Sequence, residues 1–433
     1  MKQEHGNDKS GQGFDKKILG ITQLESAMLE FIHNHILHIL SVCLLALSLI
    51  FRWHYRNYES IDYQTFLLPW YTQLKAAGGI GGIRESIGDY YIPYMLVMAL
   101  ITYLPGNPLF WIKTVSVLFD YIMAFAGVKV AEVILEDLSV RTDRTITIFD
   151  LGREDSHFCI VKFLVFWGIL LSPMVVLNSA KWAQCDAIYT SFLLFSLYCL
   201  LKERYHSAVI LWGGAFVFKL QAIFMLPVYV FLYLAKKRFS AAVFMNALIM
   251  YFLAGLPAVV LGRSPVSVYK TYINQVTSYQ SLTLFMPNVY YFLPSDYEEF
   301  FIPGILFTIL LIMLMAGLFL YYRSELDLYT ITRLAFWFNF TCIMFFPAMH
   351  ERYGYVFVIL SILLCWRDAR MLLVSILLNC TTVMTYYRFF CGSSEVDLRI
   401  LSAVNLIIWG WSGYQMIHKC IKDSTFRFIG QKT

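Results

Sequence analysis

The apolar positions of this chain run in long blocks instead of alternating with polar ones. Segments 31–51, 109–133, 239–260, 301–321 and 398–418 each carry few charges. A helix needs about 20 such residues to cross the roughly 30 Å hydrocarbon core of a bilayer. Helices also satisfy their own backbone polar groups, which lipid cannot do. The pattern predicts an all-α polytopic membrane protein with about twelve spans.

Charge in the short connections orients those spans. Lys202-Glu203-Arg204, Lys236-Lys237-Arg238, Arg367-Asp368-Ala369-Arg370 and the tail 419–427 are basic, which places them in the cytoplasm. The N-terminus, with Lys2, Lys9, Lys16 and Lys17, is expected there too. Segment 90–104 is apolar, but about 15 residues reach only about 22 Å. If it crossed, the charged connection 132–155 and every later basic loop would move outside, so it is read as interfacial.

The remaining outline depends on that choice. A first outer loop, 52–108, carries interfacial helices near 63–77 and 90–104. Spans lie near 109–133 and 160–177, and an outer turn at 178–186 leads into the fourth. Two short spans, 207–219 and 222–235, meet at Lys219-Leu-Gln221. Span 239–261 precedes a second outer loop, 262–300, and spans near 301–322, 329–346, 353–366, 370–387 and 398–418 complete the set. The parts are a cytoplasmic segment 1–30, a membrane core 31–360, C-terminal helices 361–418 and a tail 419–433.

Composition sharpens this picture. Of 433 residues, 59% are hydrophobic and 15% charged, well below the quarter charged that soluble domains carry. The first 25 or so residues show no short apolar stretch with a small-residue cleavage site, so no signal peptide is expected. The nine cysteines are scattered without a Cys-x-x-Cys pair, which suggests neither a disulfide framework nor a zinc site. A net charge of +5 spread over short loops reports orientation, not nucleic-acid binding.

Polar residues in apolar surroundings gather at the outer surface: Asp62, Asp89, Asn178, Lys181, Gln184, Asp186, Lys219, Gln221, His350, Glu351 and Arg352. Ionisable groups at membrane depth are costly, so a functional reading comes first. Asp62 could serve as a general base or cap the helix that begins at Tyr63. Asp89 could equally start the next helix. Lys219 either snorkels or neutralises a phosphate. In Phe346-Pro-Ala-Met-His-Glu-Arg-Tyr353, His350 and Arg352 could stabilise charge on a leaving group, with Glu351 orienting Arg352. His33, His35 and His38 do not share one helical face and read as structural. The tyrosines of the second outer loop, among them Tyr269, Tyr272, Tyr279, Tyr290, Tyr291 and Tyr297, suit either an aromatic belt or a sugar-stacking surface.

Five phrases in order resemble a known family. They are Asp62-Tyr-Gln-Thr-Phe-Leu-Leu-Pro-Trp-Tyr71, Gly88-Asp-Tyr-Tyr-Ile-Pro-Tyr94, Asn178-Ser-Ala-Lys-Trp-Ala-Gln-Cys-Asp186, Phe218-Lys-Leu-Gln221 and Pro347-Ala-Met-His-Glu-Arg-Tyr353. They look like bacterial relatives of GPI mannosyltransferase II, in the GT-C superfamily of multi-pass glycosyltransferases, over residues 30–360. The resemblance implies a GT-C-like bundle and a polyprenyl-phosphate sugar donor used at the outer face of a bacterial cell membrane. It also implies inversion at the anomeric carbon with Asp62 as base, and a second acid at Asp89 or Asp186. The family's Trp-Gly-Gln-x-Asp phrase stands here as Trp182-Ala-Gln-Cys-Asp186, with Ala183 in place of glycine.

The expected activity is therefore hexose transfer, mannose by family name, to a glycan or lipid-linked acceptor. Asp62 and Asp89 are the expected catalytic groups, and Lys219, His350 and Arg352 the donor-phosphate ligands. Trp182, Gln184, Asp186, Gln221 and Glu351 are expected to bind substrate. A divalent metal, Mg2+ or Mn2+, could supplement the cations, and membrane lipids are the expected surroundings. The rival is a transporter or flippase of lipid-linked glycans, against which stand the one-sided polar cluster and the lack of internal repeats.

Overall fold

A computed structural model describes residues 23–141, 154–277, 279–322, 325–392 and 394–430. The lysines expected to orient the N-terminus lie outside the described residues. Two compact units are present, residues 1–49 and residues 50–433. Helix α1, Gln23–His54, supplies the described part of the first. There His35 Nδ1 bonds the carbonyl of Phe31 at 2.9 Å and its ring stacks on Phe31, a local structural role.

The second unit is helical almost throughout. The segment 52–108, expected as the first outer loop, holds α2, Leu68–Ala76, and α3, Ile92–Ile101. Then come α4, Pro108–Arg141, α5, Glu154–Leu170, and the short α6, Pro173–Val176. Helices α7, Asp186–Leu201, α8, Tyr205–Phe218, α9, Leu226–Lys236, and α10, Met245–Val260, come next. The segment 262–300, expected as the second outer loop, contains α11, Pro265–Tyr269, and α12, Thr271–Thr277. The last helices are α13, Tyr297–Tyr321, α14, Leu328–Phe345, α15, Tyr355–Leu364, α16, Ala369–Cys391, and α17, Leu398–Gly430. Helices α16 and α17 belong to the same compact unit as those before them.

Among the described residues five helices are long and apolar enough to cross a membrane, or six if the bent pair 160–170 and 173–181 is one span. The protein is thus a polytopic helical membrane protein. Helices α3, α7, α8 and α15 and the segment 220–236 are apolar but shorter. Lipid-facing character is clearest on α13, where Ile302, Leu306, Met313 and Leu314 are exposed. By contrast α14 is buried along its length, and Asp327 caps it by accepting from the Thr330 N–H at 2.6 Å.

Two details depart from expectation. The connection expected to begin at residue 132 is still helix, because α4 continues to Arg141. Glu132 bonds Lys129 one turn back at 2.8 Å and Lys162 of α5 at 3.0 Å, so its charge is compatible with an ordered helix. The expected straight span 160–177 bends by 42° at Leu171–Ser172. Pro173 has no N–H to donate and forces Ser172 into an extended backbone, ψ 124°.

The only described strands are β1, Thr283–Leu284, and β2, Met349–His350, which pair in parallel. This rung ties the second outer loop to the His350-Glu351-Arg352 turn.

Candidate functional site

Asp62 sits where the chain enters a widened, π-type helical turn, Tyr63–Leu67. Its side chain caps nothing; the Ser60 hydroxyl accepts the Tyr63 N–H at 3.1 Å instead. Freed from that duty, the Asp62 carboxylate is taken up by another part of the chain. A second π-type turn, Leu177–Lys181, delivers Trp182 and Gln184. Such turns carry one extra residue and often mark functional sites, because they rotate the next residues out of the helical register.

Trp182 Nε1 donates to Asp62 Oδ2 at 3.0 Å and Gln184 Nε2 donates to the same oxygen at 2.8 Å. Arg352 Nη1 lies 3.5 Å from it. Oδ1 has no hydrogen-bond partner among the described residues. Trp182 is wholly buried, stacked on Phe389 at 4.6 Å, with Phe390, Tyr386 and the Arg352 guanidinium also against it. Ala183, between the two donors, has φ +65°, a left-handed backbone that glycine adopts without strain. The glycine of the resembled phrase would occupy this conformation freely.

Arg352 is fixed on its other side by Glu351, with Nε donating to Oε1 at 3.1 Å. His350 Nδ1 lies 3.6 Å from Glu351 Oε2. Burial of Glu351 favours its neutral form, but the His350 contact and the Arg352 charge outweigh it and hold the carboxyl below its ordinary range. Arg352, facing Glu351 and Asp62, is held well above its own despite burial. One guanidinium nitrogen, Nη1, is enclosed yet makes no hydrogen bond, as is Gln221 Oε1.

Lys219 stands at the break between α8 and a 3-10 turn, Leu220–Met225, with an extended backbone. Its ammonium pairs with Asp186, which also accepts from Asn178 Nδ2 at 2.8 Å. Asp186 is fully buried and opens α7, where the helix dipole favours an acid. It therefore holds Lys219 and does not face the cavity.

Asp89 lies on the loop ahead of α3 and caps nothing; Tyr91 takes the N-cap position with no side-chain bond. Its carbonyl accepts from Gln275 Nε2, which pins it to the second outer loop. Desolvation raises its carboxyl above the ordinary range, opposed by its own backbone and by the charges of Arg352 and His350.

These groups converge on a cavity of about 1050 Å³. Asp62, Asp89, Gln184, Lys219, Gln221, His350, Glu351 and Arg352 line one end. Val230 and Leu234 of α9 and Ile309 and Met313 of α13 line the other, each between 42% and 60% exposed. The cavity thus joins a charged head to an apolar flank open to lipid. Of the expected site residues, only Trp182 and Asp186 stand behind its wall. Lys181 also turns away, its ammonium over the rings of Phe390 and Tyr58 at 4.3 and 4.9 Å. Among the described residues no three of His, Cys, Asp and Glu cluster as metal ligands would.

Sequence reasoning missed the aromatic end of α16. Tyr386, Phe389 and Phe390 build the wall behind Trp182, and the run Tyr386-Tyr387-Arg388-Phe389-Phe390 was the available signal. It also missed Asp120, fully buried mid-way along α4, whose Oδ2 accepts from Arg52 Nη2 at 2.8 Å and Ser179 Oγ at 2.6 Å. An aspartate inside an apolar block was reason enough to look for its partner. No protein-family model and no curated protein matches this chain.

Proposed function

We propose that this protein is a membrane glycosyltransferase that moves a hexose from a polyprenyl-phosphate donor to a glycan or lipid-linked acceptor at the outer face. The observation that carries the reading is Asp62, with Oδ2 held by two hydrogen-bond donors and faced by the Arg352 charge, and Oδ1 without a hydrogen-bond partner among the described residues, at the charged end of a cavity whose far flank is apolar. A lipid phosphate linked to a sugar has that same division into charged head and long apolar tail. On this reading α4, α17 and the shorter apolar helices α7, α8, α15 and the segment 220–236 complete a bundle of about twelve crossings, with α3 at the interface.

Asp62 Oδ1 accepts the proton of the acceptor hydroxyl. The hydroxyl oxygen then forms its bond to the anomeric carbon as the bond from that carbon to the phosphate oxygen breaks. The departing electron pair stays on the polyprenyl phosphate, whose charge Arg352, His350 and Lys219 stabilise. Attack opposite the leaving group inverts the anomeric centre. Asp186 offsets the charge that Lys219 brings, as Glu351 and Asp62 offset that of Arg352, so the cations act on the phosphate together.

The test is turnover by purified protein in detergent with radiolabelled polyprenyl-phosphate hexoses, wild type against Asp62→Asn. A positioned general base is worth about 10²–10⁴-fold, so the variant should lose at least the lower figure while remaining folded. Near wild-type turnover by the variant would remove Asp62 as base. Failure of folded wild type to transfer or hydrolyse any donor would count against the enzyme itself.

A further inference from the structure

Two wall residues of the cavity, Phe285 and Ala348, have a left-handed backbone, and Phe285 is the one with a ring to present. Phe285 has φ +62°, a conformation that costs any residue with a Cβ and is seldom taken by an aromatic. Such strain persists only where the surroundings fix it, and here they do so on both sides. Leu282 and Leu284 carbonyls accept the Ala348 and Glu351 N–H groups, each at 2.9 Å. Thr283 Oγ1 donates to the Met286 carbonyl at 2.7 Å, and Asn405 of α17 donates to the Pro287 carbonyl at 3.0 Å.

For all this fixing, the Phe285 ring is not packed away. It is 45% exposed and lines the cavity. Its contacts run to the charged end: a backbone bridge to His350, and an edge-to-face meeting with Phe389 at 6.2 Å. Phe389 in turn stacks on Trp182, the ring that holds Asp62. A half-open aromatic face joined to the candidate base through Phe389 and Trp182 is suited to a flat, partly apolar ring, because the negative face of an aromatic attracts polarised C–H groups.

We propose that Phe285 is the stacking platform for the pyranose ring of the donor, presented over the charged end of the cavity by its left-handed backbone. The inference rests on the lipid-linked-sugar reading above. Phe285 recognises the sugar, whereas the α9–α13 flank takes the lipid chain.

Dissociation constants for two probes test it: a polyprenyl-phosphate hexose and bare polyprenyl phosphate, both with full-length protein in detergent. Phe285→Leu keeps the Cβ and the apolar bulk but has no ring face. It should weaken the sugar-bearing probe about three- to tenfold, leave bare polyprenyl phosphate unchanged, and be matched to wild type by Phe285→Tyr. Phe285→Gly should melt above Phe285→Ala, the reverse of the order at an ordinary position. Equal affinity of Phe285→Leu and wild type for the sugar-bearing probe, or equal loss for both probes, would overturn the platform. So would Phe285→Ala melting above Phe285→Gly. Wild type that binds neither probe would instead remove the lipid-linked donor, and the inference with it.

Discussion

At Asp62 two donors from one distant turn converge on one carboxylate oxygen, with the Arg352 charge 3.5 Å from it, so the carboxylate cannot rotate without breaking both bonds. Hydrogen bonds to a charged group are worth about 1.5–3 kcal/mol each, and about 1.4 kcal/mol is tenfold in rate. Trp182→Phe keeps a ring against Phe389 but loses the N–H, so kcat should fall about tenfold or more with donor affinity little changed. Steady-state kinetics on the folded variant would check it, and a change confined to KM would contradict it. Asp89 responds differently. Its raised carboxyl is penalised when ionised, mainly by desolvation. That penalty is absent at low pH, where folded and unfolded chains both hold the proton. It grows as pH rises past the ordinary value of about 3.9. Asp89→Asn removes it, so the variant should melt higher than wild type at pH 7 by a margin that vanishes toward pH 4. Melting curves across that range are the measurement.

At the scale of elements, the site is assembled by breaks in helices more than by the helices themselves. Two π-type turns, the Lys219 break and the His350-Glu351-Arg352 turn bring its charged groups together. The Lys219 break, the 178–186 turn and the His350-Glu351-Arg352 turn interrupt the apolar pattern, whereas the π-type widening of the two turns does not show in it. The Ala183 conformation shows the cost. Left-handed backbone costs a residue with a Cβ roughly 1–2 kcal/mol, while burying one methyl returns about 0.8 kcal/mol. Ala183→Gly should therefore stabilise by up to about 1 kcal/mol and leave turnover unchanged, since its neighbours keep their bonds. A lower melting temperature would mean the buried methyl matters more than the backbone.

At the scale of the whole molecule, the buried Arg52–Asp120 pair links the last turn of α1 to α4, with Ser179 and the Leu170 carbonyl completing it. Removing one partner of a buried pair leaves an uncompensated charge and costs about 3–5 kcal/mol. Asp120→Leu should lose that much, and Arg52→Leu together with Asp120→Leu should recover most of it. Thermal unfolding in detergent reads both, and additive losses would show that the pair contributes beyond mutual compensation.

The sequence alone determined the membrane character, the long apolar helices and the identity of most charged cavity residues. Hydrophobicity acts locally and sums along a segment, so a block of apolar side chains announces its environment wherever it packs. Only the tertiary structure decided who pairs with whom. It turned Asp62 from a possible helix cap into the acceptor of Trp182 and Gln184, and set Asp186 behind the wall as the partner of Lys219. It also brought the aromatic end of α16 to Trp182 and bent the backbone at Phe285. The physical reason is that an ion pair in a low-dielectric interior depends on through-space distance. That distance is set by how helices cross and how their turns widen, and neither is encoded in the local pattern of apolar and polar residues.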